Sequence, residues 1–280
     1  METGQISRTA LGVAIRRAVH QLLEDPTVLN DPIAIPILGR HFQLNREQQT
    51  HPYHRTFRAF ITGRSRLAED QLAAAVQSGV TQYVLLGAGL DTFAYRNPWA
   101  NLHVFEMDFP ATQLWKRSLL RDAKILEPAT LTFVSLDFEH HTLRESLVEA
   151  GFDFTRPAFF AWLGVVPYLT LKAFRGTLDL VAAMPAGSGL VFDYGLSDEE
   201  LSPRRQKVRA ELAARVAAVG EPFQLYFRVA QLENELKSAG FGKIEQIDSD
   251  EMNRRYFADR ADNFGLPEEG LGQMAVAWVE

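Results

Sequence analysis

The sequence predicts an α/β fold built on a mostly parallel sheet of seven strands, because apolar runs and amphipathic helical stretches alternate from residue 82 onward. The first run, Tyr83-Val84-Leu85-Leu86, is apolar enough to be buried on both faces. Gly87-Ala88-Gly89 follows it directly, and the second run closes on Glu106-Met107-Asp108. A strand, a glycine turn and an acid-tipped second strand are typical of a Rossmann-like nucleotide-binding unit.

The other elements follow from the same alternation of patterns. Strands are predicted near residues 82–86, 102–107, 131–135, 158–163, 188–194, 243–248 and 273–279. Helices are predicted near residues 110–126, 141–150, 170–184, 198–218 and 230–239, with Thr170 as an N-terminal cap. Strands that alternate with helices favour parallel pairing.

The region before the first strand is predicted to form a helical cap or lid. Ser7 and Thr9 are suitable caps for a helix that runs to about Glu24. Residues 26–52 contain four prolines and predict an irregular connector with one helical turn, and residues 56–78 predict a helix broken at Gly63. The expected organisation is a cap over residues 1–80 and a main domain over residues 81–280, with a helical insertion at about 196–228.

Composition sets limits on the class of protein. The chain has 280 residues, of which 46% are hydrophobic and 23% charged, as in ordinary globular proteins. Its net charge is −6 and no basic stripe stands out, which disfavours a nucleic-acid partner. The absence of cysteine excludes disulfides, thiolate metal ligands and a cysteine nucleophile. Arginines interrupt the apolar pattern of the first 23 residues, so we expect neither a signal peptide nor a membrane span, and a cytoplasmic location.

The spacing of the acids indicates a ribose-containing ligand. Glu106 and Asp108 lie 19 and 21 positions beyond Gly87, and dinucleotide sites place their ribose-binding acid about 20 residues on. Thr92 replaces the third glycine of that motif, and Asp91 adds a negative charge, so a diphosphate is poorly accommodated. A ribose with a cationic tail fits better, and S-adenosylmethionine is such a ligand. A nicotinamide-dependent oxidoreductase stays open as an alternative.

These motifs resemble a known family. GAGLDTFAYR followed by VFEMDFP is similar to the signature of the leucine carboxyl methyltransferase-like S-adenosylmethionine-dependent O-methyltransferases. That family includes protein phosphatase carboxyl methyltransferases and bacterial enzymes that methylate aromatic polyketides. The resemblance extends to Arg64-Ser65-Arg66, Leu136-Asp137-Phe138 and the block from Trp162 to Thr170, and so spans nearly the whole chain. It implies a final antiparallel hairpin across residues 250–272.

The resemblance also implies cofactor-binding residues. Gly87 and Gly89 would form the cofactor turn, and Asp108 would bind the ribose, with Glu106 at the same end of the strand. A guanidinium offers a bidentate fork to the cofactor's carboxylate, and counting back from the turn favours Arg64 over Arg66. Downstream, Asp137 would hold the adenine amine while Phe138 stacks nearby. Turn glycines, solvated acids and surface arginines are the plain structural alternatives.

The block around Leu163 departs from the family pattern. Many relatives carry a glutamate near this position, and a leucine cannot accept a hydrogen bond from the cofactor's ammonium group. That contact must be lost or replaced, for example by a backbone carbonyl. Val166-Pro167-Tyr168 resembles the Asn-Pro-Pro-Tyr of enzymes that methylate nucleic-acid amines. Because a valine replaces the amide, methylation of a nucleobase is disfavoured.

The methyl acceptor is the least defined part of the prediction. His51 and His54 are candidate bases in a polar, aromatic cluster with Tyr53 and Arg55. Further substrate-binding candidates are Tyr53, Tyr168, Tyr194, Tyr226 and Arg228. His140-His141 lacks a third ligand at metal-site spacing, so no metal is predicted.

We therefore predict an O-methyltransferase that acts on a carboxylate of a small molecule such as an aromatic polyketide. A carboxylate with a pKa near ~4 is already ionised and needs no base, and the sequence contains no fixed acid–base pair. A phenol or other hydroxyl acceptor, and a non-catalytic protein that binds a partner, stay open. Nothing in the residues indicates the oligomeric state.

Overall fold

A single mixed sheet organises the computed structural model, which describes residues 7–135, 142–218 and 220–280. Its strands are β1 Gln82–Leu86, β2 His103–Asp108, β3 Leu131–Ser135, β4 Phe159–Trp162, β5 Gly189–Leu196, β6 Tyr226–Phe227, β7 Lys243–Ile247 and β8 Gly272–Trp278. They are ordered β3-β2-β1-β4-β5-β8-β7, and β6 pairs with β5. Only β8 runs antiparallel to its neighbours, β5 and β7.

The described sheet confirms the predicted fold class and adds one strand. Each of the seven predicted strands is present within two residues of its expected bounds. The additional strand, β6, is two residues long and lies inside the predicted insertion. A two-residue strand is too short to produce an alternating pattern, so periodicity cannot reveal it.

The helices of the described residues lie on both sides of the sheet and beyond its edge. They are α1 Arg8–Leu23, α2 Arg46–Thr50, α3 Pro52–Gln77, α4 Pro110–Asp122, α5 Leu143–Glu149, α6 Leu171–Ala182, α7 Pro203–Ala217, α8 Val229–Ala239 and α9 Ser249–Tyr256. A 3₁₀ segment, Pro36–His41, lies in the proline-rich connector. The predicted caps are correct at Ser7, which accepts from the Ala10 N–H, and at Thr170, which accepts from the Ala173 N–H.

Two helical predictions need correction. Helix α3 continues through Gly63 instead of breaking there. A Cβ at Gly63 would lie 2.9 Å from the Met252 side chain, so the glycine permits close packing. Helix α9 was not predicted in the segment after β7, since it has eight mostly polar residues, of which only Ser249 and Met252 are buried.

Two hydrophobic clusters fill the two faces of the sheet. Val84, Phe160 and Phe192 face α6 and α8 on one side. Tyr83 and Leu85, the alternate residues of β1, face the C-terminal half of α3 on the other. A third cluster packs α1 against Leu90 and α4. The N-terminal segment therefore sits against the glycine turn, at the edge where the parallel strands end.

Candidate active site

The topology locates a crevice at the carboxyl ends of β1 and β4. Strand β1 lies between β2 and β4. Strands β2 and β3 extend the sheet in one direction from β1, and β4 and β5 extend it in the other, so the strand order reverses at this point. In open α/β sheets, ligands bind outside the strand ends at such a switch point. The loops after β1 and β4 begin at Gly87 and Leu163 and line this edge.

The glycine turn after β1 is closely packed on both sides. Gly87 and Gly89 have positive φ angles of 70° and 52°, which favour glycine. A Cβ at Gly87 would lie 2.5 Å from Val165 Cγ2 in the loop after β4. A Cβ at Gly89 would lie 3.3 Å from the Ala10 side chain in α1. The turn thus meets the opposite loop and the N-terminal cap.

Asp108 at the end of β2 holds this turn. Its Oδ2 accepts the Gly89 N–H at 2.6 Å, and its Oδ1 accepts the Phe109 N–H at 2.7 Å. Burial raises the pKa of Asp108, and these backbone N–H groups partly offset the increase. Each carboxylate oxygen has a second lone pair, so the group retains capacity for ligand hydroxyls.

Glu106, two residues earlier, has a different partner. Its carboxylate is 1% exposed, and Oε2 accepts from Lys116 Nζ at 2.6 Å. Burial raises the pKa of Glu106 to about 7 despite the lysine. Lys116 also donates to the Asp91 carbonyl at 2.5 Å. Glu106 therefore supports the turn through Lys116 from inside the protein.

Arg64 lies at the opposite side of the crevice, where it is hydrogen-bonded to Asp193 in β5. Its Nη1 donates to Asp193 Oδ2 at 3.1 Å, and the Gly164 N–H donates to Asp193 Oδ1 at 2.6 Å. The Arg64 Nε is buried and has no partner among the described residues. Arg66 instead points outward and pairs with Asp70 at 2.8 Å, so Arg64 is the arginine at the crevice.

The departures from the dinucleotide motif have structural partners in α1. Arg17 forms ion pairs with Asp91 at 2.6 Å and with Asp31 at 2.7 Å, and donates to the Thr92 hydroxyl at 2.9 Å. Burial alone would raise the pKa of Asp91, but Arg17 and neighbouring cations lower it to about 2. Asp91 and Thr92, the two departures from the motif, therefore attach the turn to α1.

Comparison with known families decides the identity. The family model for leucine carboxyl methyltransferase matches residues 10–182. This chain belongs to the leucine carboxyl methyltransferase family. It is an S-adenosylmethionine-dependent methyltransferase, as the names of its relatives also indicate.

Two groups of relatives illustrate the extent of the similarity. YktD of Bacillus subtilis (strain 168), named as an S-adenosyl-L-methionine-dependent methyltransferase, is 31% identical over 292 residues, covering 94% of this chain and 95% of that protein. A Mycobacterium tuberculosis protein (strain ATCC 25177 / H37Ra) with the same description is 31% identical over 198 residues, 66% of this chain. This chain spans 63% of the length of that mycobacterial relative.

Solved structures agree on the fold. A Thermobifida fusca protein described as a methyltransferase has a TM-score of 0.55 at 18% identity, covering 88% of this chain and 92% of that chain. A DUF574 family protein of Streptomyces avermitilis has a TM-score of 0.52 at 18% identity, covering 96% of this chain and 97% of that chain. At this identity the similarity concerns the fold alone.

Two of the predicted acceptor residues, Tyr168 and His54, lie near the N-terminal segment that contains α1. Tyr168 is half-buried, and burial raises its pKa to about 12, with a further contribution from Glu221. The Thr9 hydroxyl donates to Glu221 at 2.5 Å. The ring of His54 lies 5.2 Å from that of Tyr53, and its Nδ1 is buried without a partner among the described residues. Burial lowers the pKa of His54, and Arg16 lowers it further.

Other predicted residues lie elsewhere in the methyltransferase. Tyr194 is buried in the sheet, where its hydroxyl lies 2.6 Å from Gln246 Oε1 and 2.9 Å from Gln273 Oε1. Tyr226 is covered by Arg209 at 4.5 Å, and Arg228 and His51 are exposed. Leu163 packs beside the α3 face of the sheet. Asp137, Phe138 and His140-His141 lie outside the described residues.

The sequence prediction did not include several residues that contact the predicted site residues. Asp193 follows the apolar part of β5 and had a detectable signal, an acid near the end of a predicted parallel strand. Arg17 and Lys116 had none, because their partners lie far away in the chain or on another element. In the part of the chain that the structure describes, no group of three His, Asp or Glu is placed to hold a metal ion. None of the described helices is both long and apolar enough to cross a bilayer.

Proposed function

We propose that this methyltransferase transfers a methyl group to a carboxylate oxygen of a small molecule, such as an aromatic polyketide acid. The observation that carries the cofactor site of this proposal is the buried Nε of Arg64, which has no partner among the described residues and lies beside the loop after β4. A buried donor without a partner costs about 1–3 kcal/mol, and a carboxylate would satisfy it. The carboxylate of S-adenosylmethionine is such a group.

The neighbouring residues fit the rest of that cofactor. Asp108 would accept from the ribose hydroxyls, while Gly87 and Gly89 let the backbone approach the ligand. Asp193 orients Arg64 and, in place of the family glutamate at Leu163, supplies negative charge near the ammonium group. When bound, S-adenosylmethionine supplies an electrophilic methyl group on a sulfonium centre. The protein then has to align the acceptor oxygen with that group and exclude water.

A carboxylate acceptor suits the chemistry of these residues. It is ionised at neutral pH and needs no base, so positioning alone supplies the main catalytic effect, worth up to about 7–11 kcal/mol. The raised pKa of Tyr168 keeps its hydroxyl neutral, so that it donates a hydrogen bond instead of removing a proton. The family's description as carboxyl methyltransferases supports the same acceptor class.

A hydroxyl acceptor is the second candidate, and His54 favours it. The lowered pKa of His54 leaves the imidazole neutral, and its unpartnered Nδ1 is free to accept a proton from a phenol. Such a general base contributes about 10²–10⁴-fold to the rate.

Calorimetric titration tests the cofactor site. S-adenosylhomocysteine should bind the wild type, and Asp108→Ala should weaken that binding by about 10- to 100-fold, since hydrogen bonds to a charged group are lost. The matched control is Asp122→Ala, which removes an exposed acid at the end of α4 and should leave the affinity unchanged. Binding of NADH without S-adenosylhomocysteine would contradict the proposal and revive the oxidoreductase alternative.

Product analysis tests the acceptor class. With S-adenosylmethionine and a panel of aromatic acids and phenols, we expect methyl esters, formed at an unchanged rate by His54→Gln. Ethers alone, lost in His54→Gln, would favour the hydroxyl candidate. No ester from any acid in the panel would contradict the carboxylate assignment.

A further inference from the structure

Three aromatic side chains stand on one face of α3. Tyr53, Phe57 and Phe60 are spaced at i, i+4 and i+7, and Arg64 follows at i+11 on the same face. All three rings are half-buried. Within the described residues, none belongs to the hydrophobic clusters of the sheet or the cap. Their position is therefore not explained by core packing.

Each ring is covered by a guanidinium from a different part of the structure. Arg215 of α7 lies 5.1 Å from the Tyr53 ring centre, Arg16 of α1 lies 4.4 Å from that of Phe57, and Arg64 lies 5.7 Å from that of Phe60. Cation–π contacts extend to about 6 Å. The cap, the insertion and α3 thus converge on one aromatic, positively charged trough that ends at the crevice.

Arg16 has donors to spare in this trough. Its Nη1 donates to the Gly12 carbonyl of its own helix at 2.8 Å, and its buried Nε has no partner in the described chain. Unlike Arg17, it forms no ion pair with any carboxylate of the described residues. An unsatisfied guanidinium donor on an aromatic surface points to an anionic ligand.

We infer that this trough binds the methyl acceptor as a planar aromatic molecule with an anionic group on Arg16 and its reacting carboxylate at the crevice end of the trough, where it faces the cofactor's methyl group while Arg64 holds the cofactor's own carboxylate. The inference rests on the proposed function. Phe57 and Arg64 are seven residues apart, and at 1.5 Å rise per residue this is about 10 Å. The acceptor class is therefore an aromatic acid of two or more fused rings, with a second anion about 10 Å from the reacting oxygen.

A pair of probe molecules separates the contribution of the second anion to binding from that of the aromatic rings. In the presence of saturating S-adenosylhomocysteine, the wild type should bind 2,6-naphthalenedicarboxylate about tenfold more tightly than 2-naphthoate, the gain of one charge-assisted contact. Arg16→Gln should remove that preference, and Arg16→Lys should retain part of it. The control Arg8→Gln changes an exposed arginine of the same helix and should leave the preference intact.

A second variant measures the aromatic surface. Phe57→Leu should weaken both probes by a similar factor, since the ring is lost and the anion contact is kept. Unchanged affinity of Arg16→Gln and Phe57→Leu for S-adenosylhomocysteine would show that both variants are folded and that the cofactor site is intact.

The outcomes distinguish the two proposals. Equal affinity for the two probes, failure of both to bind, or a preference that persists in Arg16→Gln overturns the trough while cofactor binding stands. Failure of the wild type to bind S-adenosylhomocysteine contradicts the proposed function itself.

Discussion

At the scale of single residues, Gly87 shows how closely the turn is packed. It combines a positive φ with a neighbour, Val165, that would overlap any side chain. Gly79 also has a positive φ, of 98°, but a Cβ there would contact nothing within 4 Å. A comparison of the two glycines therefore separates the energetic cost of backbone strain from that of steric overlap.

We predict that Gly87→Ala is more destabilising than Gly79→Ala. Both variants incur about 1–2 kcal/mol of backbone strain. Only Gly87→Ala adds an overlap, worth about 1–3 kcal/mol. Urea unfolding measures the difference, and Val165→Ala in the Gly87→Ala background should recover part of it. Equal losses at the two glycines would show that the loops separate freely.

Asp91 couples the turn to the cap electrostatically. Its folded pKa of about 2 lies below the ordinary value of 3.8, because Arg17 and other cations outweigh the effect of burial. A lowered folded pKa gives stability that is present above the unfolded pKa and lost as the pH falls through the folded one.

Asp91→Asn should therefore be less stable than the wild type by about 2 kcal/mol at pH 6. The difference should shrink as the pH falls from about 4 towards 2, because the wild-type carboxylate is then protonated. Unfolding by urea at a series of pH values measures this trend, with exposed Asp250→Asn as the control. A difference that stays constant down to pH 2 would refute the ion-pair explanation.

The sequence predicted which residues lie together locally better than it predicted distant pairs. Gly87, Gly89 and Asp108 were expected at one turn because a strand, a turn and an acid follow each other in the chain, and Asp108 does accept the Gly89 N–H. Arg17 and Asp91 are 74 positions apart, and no local pattern connects them. Thr92 was correctly identified as a departure from the motif, but its partner in α1 became visible only in three dimensions.

At the scale of elements, α3 and α7 differ in how they are held. Helix α3 has 26 residues, of which eleven are buried, among them Arg64 and the residues that contact the sheet. Helix α7 has 15 residues, and Val216 is its only buried one. Few buried contacts imply a low free energy of local opening.

We predict that α7 amides exchange hydrogen at least about tenfold faster than those of α6, which buries Phe174, Leu178 and Val181. Helix α6 is a suitable control, because its length of 12 residues is similar to that of α7 and both helices are measured in the same sample. Hydrogen exchange followed by mass spectrometry measures both helices together. Equal protection would mean that the insertion is a rigid part of the fold, and not a mobile cover of the acceptor side.

Whether an element was predicted depended on the strength of its hydrophobic pattern in the sequence. Strands β1, β4 and β5 were predicted because their apolar runs are continuous. Strand β6 and helix α9 were missed because each depends on tertiary contacts, β6 with β5 and α9 through Met252 against Gly63. Helix α9 is also short and mostly polar, with two buried residues among eight.

At the scale of the whole molecule, the hydrophobic clusters cross the predicted boundary between cap and main domain. Leu67, Ala68 and Leu72 of α3 pack in the same cluster as Tyr83 and Leu85 of the sheet. The division into residues 1–80 and 81–280 stays a prediction about architecture, but the α3 helix belongs to both parts. This arrangement brings Arg64 of the predicted cap segment to Asp193 of β5.

The most direct test of the central claim is a crystal structure of the protein with S-adenosylhomocysteine. The account predicts the ribose hydroxyls at Asp108, the amino-acid carboxylate at Arg64 Nε, and the sulfur facing the trough of Tyr53, Phe57 and Phe60. A ligand bound away from the glycine turn, or an Arg64 that keeps only its contact with Asp193, would contradict it.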